Sequence, residues 1–479
     1  MLSIAVITFV PLTGIMRYLK QRLVIVVISI VAFVSIAAIS IGEPFKEGVF
    51  IEPSEQKSGD KQKGYDYLVN GDYLKSGLGY NYYVLLNGKD KQNFLARTGK
   101  AANVGYNFNL IKTRNSNNVV VPNCLQCHGQ VFNGKLIMGL GNTFLDFSRE
   151  QRKKDVKGAI AQHIMRLVAP GQYQIARPMI RSFSTIAPYL QTETRGVNAA
   201  DRLAVLLVAH RNPETLQWSD KALLDIPAEV IPTDVPAWWL LKKKNAMFYN
   251  GFGRGDFGKF LMLSNLLTVS DTSEAAETFT HFGDVLAYLK SIEPPKYPHS
   301  IDASLASKGK AVFEKSCSNC HGTYGENASY PNLLIPEQFI QTDSLLFKAN
   351  YQNPQFIEWF NKSWYAKGDH PARLQPFNGY IAPPLDGIWV TAPYLHNGSV
   401  PTLDALLNSK LRPQYWQRDF KQPEYDYEKI GWKYVVKNEG NSTTIYNTDK
   451  PGYRNIGHTF GDRLSKDARK AVIEYLKTL

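Results

Sequence analysis

The longest apolar stretch runs from Leu23 to Ile41 without a charged residue, and Arg17, Lys20 and Arg22 stand before it. Such a run is long enough to cross a bilayer as a helix, and its basic flank predicts that the N-terminus stays in the cytoplasm. A cleaved signal peptide ending near Ala38-Ile39-Ser40 is the alternative, with Met16 as an alternative start. Beyond this segment the apolar residues fall into short groups. Phe282–Ser291, Ala306–Lys315 and Asp462–Leu479 carry apolar positions at helical spacing, the last with Ser465 placed to cap it. The first and third share the string Tyr-Leu-Lys, which suggests a duplicated body. Glu293-Pro-Pro-Lys-Tyr-Pro-His299 reads as an extended linker between the copies. Residues 45–122, rich in Gly, Asn and Tyr, show no firm element order, and the polar, aromatic stretch from Pro413 to Pro451 reads as a long loop.

Each copy contains Cys-x-x-Cys-His: Cys124-Leu125-Gln126-Cys127-His128 and Cys317-Ser318-Asn319-Cys320-His321. This spacing is the c-type haem attachment signature, in which the thiols add to the haem vinyl groups and the histidine becomes the proximal iron ligand. The chain has four cysteines, and the two motifs use them all. A zinc site would not require a histidine directly after each pair. Two covalently bound haem c groups are therefore expected. The implied fold is mainly α: two cytochrome c-like haem domains with long irregular loops, preceded by an N-terminal transmembrane helix. The boundaries are 1–44 for the anchor or signal segment, 45–292 for the first haem domain, 293–302 for the linker and 303–479 for the second haem domain.

The chain has 479 residues and a net charge of +13, with 20% charged residues. The positive charge is spread along the chain and accompanies no nucleic-acid-binding module, which argues against nucleic acid as a partner. It suits an acidic redox protein or an anionic membrane surface. Covalent haem attachment and the N-terminal run together place the body in the periplasm, anchored to the inner membrane or exported after cleavage.

The sixth ligand decides what each iron can do. No methionine follows Met262, so the second domain can offer only His370, His396 or His458. His458 lies between two glycines just before the closing helix, and His396 lies in a Leu-His-Asn-Gly turn suited to a haem carboxylate or to a supporting role. The first haem has His163, His210, Met165 and Met179 as distal candidates, or an open face.

Tyr380–Leu403, containing Thr391-Ala-Pro-Tyr-Leu-His-Asn-Gly-Ser-Val-Pro-Thr-Leu403, resembles a segment of the bacterial di-haem cytochrome c peroxidase superfamily, and more closely its rubber oxygenase branch. Gly139-Leu-Gly-Asn142, Pro236-Ala-Trp-Trp239, Gly251-Phe-Gly-Arg-Gly-Asp256 and Cys320-His-Gly-Thr-Tyr-Gly325 agree with this resemblance over residues 120–479. In the peroxidases a methionine ligates the electron-donating haem at the position where this chain has Lys410. The rubber oxygenase branch instead implies a bis-histidine second haem, with His458 matching the distal ligand. It also implies a first haem whose accessible iron binds molecular oxygen beside an apolar double bond. By residue chemistry Trp238 and Trp239 are core residues; the resemblance makes them candidates for lining the first haem pocket as well.

The expected activity is thus a haem-dependent oxidation of an apolar unsaturated small molecule or polymer by molecular oxygen. Hydrogen peroxide reduction with a redox protein donor, or electron transfer alone, are the alternatives. His128, Trp238 and Trp239 form the expected catalytic set. Cys124, Cys127, His128, Cys317, Cys320, His321 and His396 are expected to bind the cofactors, and His128, His321 and His458 the irons.

Overall fold

The computed structural model describes residues 47–113, 117–148, 163 and 165–479. The apolar run Leu23–Ile41, its basic flank and the candidate cleavage site lie outside them. Among the described residues no helix is long and apolar enough to cross a membrane. The spanning helix in the expected fold therefore has no support. The expectation of a mainly α body is corrected too: helix accounts for 39% and strand for 14% of the structure, with the strands in six small sheets.

Six helices of ten residues or more organise the described chain: α1 (Lys61–Asn70), α2 (Pro170–Ile186), α3 (Ala200–Ala209), α4 (Phe282–Ser291), α5 (Ala303–Ser316) and α6 (Lys466–Leu476). They form two similar crossings, α1 on α4 and α5 on α6. Both crossings need a glycine. A Cβ on Gly64 would lie 1.9 Å from the Asp284 carbonyl oxygen, and one on Gly309 would lie 1.9 Å from that of Ala471. Four residues after each glycine, on the same helix face, sits a buried apolar side chain, Leu68 or Phe313. Each such burial contributes about 1.5–3 kcal/mol. Side-chain oxygens cap three of the four N-termini or their first turns: Asp60 for α1, Asp302 for α5 and Ser465 for α6. The helices expected over Phe282–Ser291, Ala306–Lys315 and Asp462–Leu479 are present, the second and third as Ala303–Ser316 and Lys466–Leu476. The partner of α4 comes from the leader, where no element had been assigned.

The strands explain why the expected helical content was too high. Asn118–Pro122, with its three consecutive valines, pairs antiparallel with Phe108–Lys112 and Leu78–Gly79. β-Branched side chains favour this pleated, half-buried setting. The stretch read as a loop after Pro413 forms a three-stranded sheet from Tyr415–Arg418, Tyr434–Val436 and Tyr446–Asn447, and a two-stranded one from Tyr425–Asp426 and Gly431–Trp432. Its aromatic residues form the inner face: Trp416 stacks on Tyr446 at 5.2 Å.

Residues 47–479 make one compact unit. Strands from the two halves pair with each other: Val49–Phe50 with Leu333–Pro336, and Gly253–Gly255 with Ala372–Leu374. Two matching turns also face each other across the halves. Phe248-Tyr249-Asn250-Gly251 and Leu395-His396-Asn397-Gly398 have the same backbone: φ is 68° at both Phe248 and Leu395, 61° at Gly251 and 68° at Gly398. Met247 N–H bonds the Gly253 carbonyl just as Tyr394 N–H bonds that of Val400. Each turn accepts a hydrogen bond from the opposite half. Asp234 N–H donates to the His396 carbonyl (2.7 Å), and Ile381 N–H donates to the Tyr249 carbonyl (2.8 Å). This exchange of equivalent partners is the pattern of an approximate two-fold axis.

Candidate haem centres

Both attachment motifs fold as a single helical turn, Leu125–His128 and Ser318–His321. One turn brings the two thiols of each pair to one side and sets the histidine ring directly after them. His128 N–H bonds the Cys124 carbonyl and His321 N–H that of Cys317, both at 3.0 Å. None of the four cysteines is in a disulfide. Burial pushes the Cys124, Cys317 and Cys320 thiols up to about 11 and raises that of Cys127. Asn198 Nδ2 donates to Cys127 Sγ at 3.4 Å, and the Tyr73 hydroxyl accepts the Cys124 N–H at 3.1 Å, so the first motif is held from both flanks.

Equivalent prolines lie near the two proximal rings. His321 Nδ1 meets the Pro383 carbonyl at 2.8 Å. Donation from Nδ1 fixes the tautomer that leaves Nε2 free for a metal. The Pro236 carbonyl lies near His128 and favours its protonated form, but Nδ1 has no partner at hydrogen-bond geometry. His128 is instead stacked on Trp238, with centroids 4.6 Å apart and planes at 19°. Burial drives His128 down to about 3 and lowers His321, so both rings are neutral, the form that ligates.

The structure brings His458 to His321. Their ring centroids are 6.1 Å apart, at an interplanar angle of 61°. That gap fits a metal held between two imidazoles, with each metal–nitrogen bond about 2 Å long. Burial, with the His321 ring and the Arg412 charge, takes His458 down to about 3. These donor groups and the free thiols fit a covalently attached, bis-histidine haem.

No such partner stands against His128 among the described residues, which include every other histidine of the chain. His163 is exposed. His210 is held by the Ser219 carbonyl (2.9 Å) and stacked on Trp218, and His281 is stacked on Tyr67. His299 lies against Tyr427, and His370 is half-buried without a partner at Nδ1. His396 is not brought to either attachment motif. It stacks on Tyr380 at 4.2 Å and shares a 3.1 Å hydrogen bond with its hydroxyl. Of the methionine candidates, Met165 is half-buried and Met179 is buried in the large hydrophobic core of the first half.

The two tryptophans separate. Trp238 covers the proximal imidazole of the first motif. Trp239 is fully buried in the neighbouring core and donates its Nε1–H to the Asp386 carbonyl at 2.8 Å, three residues after Pro383. The lysines that follow serve different partners: Lys242 pairs with Glu293 and Lys243 with Asp386, while Lys244 Nζ reaches the Phe248 carbonyl at 3.3 Å. Arg254 bonds the Gly251 carbonyl, and Asp256 caps a short helix and receives Lys57 N–H, so the Gly-Phe-Gly-Arg-Gly-Asp string is structural.

Sequence reasoning missed Asp234 and Arg412. Asp234 sits at the crossing of the two turns, accepts the Tyr249 hydroxyl at 2.7 Å and is pushed up to about 7 by burial. The matching of Tyr-Asn-Gly with His-Asn-Gly was the available signal for that crossing. Arg412 carried no signal in sequence, because its role is to bond backbone carbonyls.

One-turn Cys-x-x-Cys-His motifs with unpaired thiols and buried neutral histidines define a c-type cytochrome, a haem-dependent oxidoreductase. Residues 379–417, which contain the His396 turn, match the family model for RoxA-like, cytochrome c-like proteins. Two curated proteins of Sinorhizobium fredii (strain NBRC 101917 / NGR234) are similar to the chain. Uncharacterized protein y4iM is 27% identical over 305 residues, which cover 56% of this chain and 69% of the relative. Uncharacterized protein y4iJ is 31% identical over 253 residues, 39% of this chain and 41% of the relative. The chain thus spans less than half the length of y4iJ.

Proposed function

We propose that the protein is an exported di-haem oxygenase that oxidises an apolar unsaturated substrate at the haem carried by Cys124, Cys127 and His128. The observation that carries this reading is the asymmetry of the two centres: His321 faces His458, whereas His128 faces no second histidine. A haem bound at the first motif would supply oxygen activation and redox chemistry. The chain would supply the rest: Trp238 orients the His128 ring, and the apolar core that contains Leu125 and Trp238, with Tyr106 against Gly129, excludes water and favours an apolar reactant. The second haem, held by Cys317, Cys320, His321 and His458, would be closed to substrate and low in potential, suited to exchanging electrons with the first or with a redox protein.

The test is a visible and electron-paramagnetic-resonance titration of the haem-loaded protein with oxygen, carbon monoxide and hydrogen peroxide, followed by product analysis with a long-chain alkene. One responsive haem, one unresponsive low-spin haem and an oxygenated alkene product are expected. Rapid peroxide consumption with an electron donor but no alkene product would replace the reading with a peroxidase. Two unresponsive haems would replace it with an electron carrier.

A further inference from the structure

We infer that Arg412 is the positioning residue that holds His458 against the second iron; this rests on the reading of His458 as that iron's sixth ligand. An arginine has five N–H donors in a planar fork. Arg412 uses its fork on five backbone carbonyls: Nε on Ala405 (3.2 Å), Nη2 on Leu406 (3.0 Å) and His458 (3.0 Å), and Nη1 on Asn455 (2.6 Å) and Gly457 (2.7 Å). The guanidinium therefore fastens the turn at 405–406 to the 455–458 loop. Among the described residues it makes no ion pair; the nearby Asp462 carboxylate is taken by the backbone N–H and hydroxyl of Ser409.

The loop needs such a fastening. His458 has φ of +46° and Gly457 +70°, and a Cβ on Gly457 would fall 2.2 Å from the Gln341 carbonyl carbon. A histidine keeps a left-handed backbone only where its surroundings impose it. The ring itself is not steered in the usual way. A metal-bound histidine normally donates its second ring nitrogen to an oxygen, as His321 is placed to do with Pro383. Among the described residues no other residue partners His458 Nδ1. Its direction is set instead by the backbone on both sides of the ring: its N–H on the Ile340 carbonyl at 2.8 Å and its carbonyl on Arg412. Lysine cannot replace this arrangement, because one ammonium offers three donors from a single nitrogen where the fork serves five carbonyls.

The experiment compares full-length, haem-loaded native protein with Arg412→Lys, Arg412→Met and His458→Ala. It counts cyanide-binding haems per chain and records the low-spin signal by electron paramagnetic resonance. His458→Ala should add one cyanide-binding haem. Both Arg412 variants should do the same in part, raising the cyanide affinity of the second haem by on the order of 10–100-fold, the effect of losing a ligand's supporting contact. Lys410→Ala, an exposed neighbour, should match native protein. If His458→Ala gains a cyanide site while both Arg412 variants stay closed and low-spin, the inference is overturned and the ligand reading stands. If His458→Ala also stays closed, the ligand reading itself fails and takes the inference with it. Arg412→Lys keeps the charge and the aliphatic stem, so it tests the geometry even where Arg412→Met does not fold.

Discussion

A single carboxyl shows how local burial reaches the behaviour of the whole chain. Asp234 lies where the two halves exchange hydrogen bonds. Burial raises its carboxyl to about 7, against the weaker opposing effects of the Tyr249 hydroxyl, the Val235 N–H and the Arg418 charge. In the unfolded chain an aspartate titrates near about 3.9. Between roughly pH 4 and 7 the folded chain therefore keeps a proton that the unfolded chain has released, and stability falls as the pH rises through that window. Above it both states are ionised and the loss is complete. Asp234→Asn keeps a neutral acceptor for the Tyr249 hydroxyl and should remove this slope. The check is the melting temperature of native and variant protein at pH 5 and pH 8: the native fall should exceed that of Asp234→Asn, and equal falls would refute the assignment. The residues that carry attachment chemistry were legible because their chemistry is local: a thiol pair and its histidine fit in one helical turn. Asp234 and Arg412 were not, because their partners are brought together only by the fold.

At the scale of elements, the two helix crossings repeat one solution. Gly309 allows the α5 backbone to approach the Ala471 carbonyl, and Gly64 does the same for α1 at Asp284. Helices α4, α5 and α6 were readable from apolar spacing, and α6 also from its Ser465 cap. Helix α1 was hidden because Lys61-Gln-Lys-Gly-Tyr-Asp-Tyr-Leu-Val-Asn70 mixes polar residues, a glycine and two tyrosines, a weak helical pattern on its own. Its glycine four residues before Leu68 matches Gly309 before Phe313, and that match identifies it. The small sheets were unreadable for a related reason. Their strands are two to five residues long, too short to show alternation, and tertiary pairing fixes them. Gly309→Ala forces a methyl into backbone and should cost about 1–3 kcal/mol in denaturant unfolding, as overpacking does. Lys308→Ala, on the exposed side of α5, should be nearly neutral. Equal effects of the two substitutions would show that the crossing is not tight.

At the scale of the whole molecule, the question is whether the two halves fold independently. Their closing helices are self-contained pairs, which favours independence. The contacts between the halves argue against it. Two strand pairings join them. Reciprocal bonds link Asp234 to His396 and Ile381 to Tyr249. Trp239, from the first half, is buried in a core shared by both halves, with Trp389 and Tyr394 from the second, and its ring lies against Gly387. Losing a buried tryptophan costs about 3–5 kcal/mol, a large part of the stability of an ordinary domain. Unfolding either half would expose that core and break the shared sheets, so partly unfolded states should be scarce. Guanidinium unfolding of the haem-loaded chain should give coincident transitions for a probe of the first haem, a probe of the second and the helical signal. Separate midpoints for the two haems would show that each half holds its own core and that the joining contacts are weak. Coincident midpoints in native protein that separate in Trp239→Ala would locate the coupling in that side chain, whose Nε1–H on the Asp386 carbonyl ties the Trp238–Trp239 segment, stacked on His128, to the loop that steadies His321.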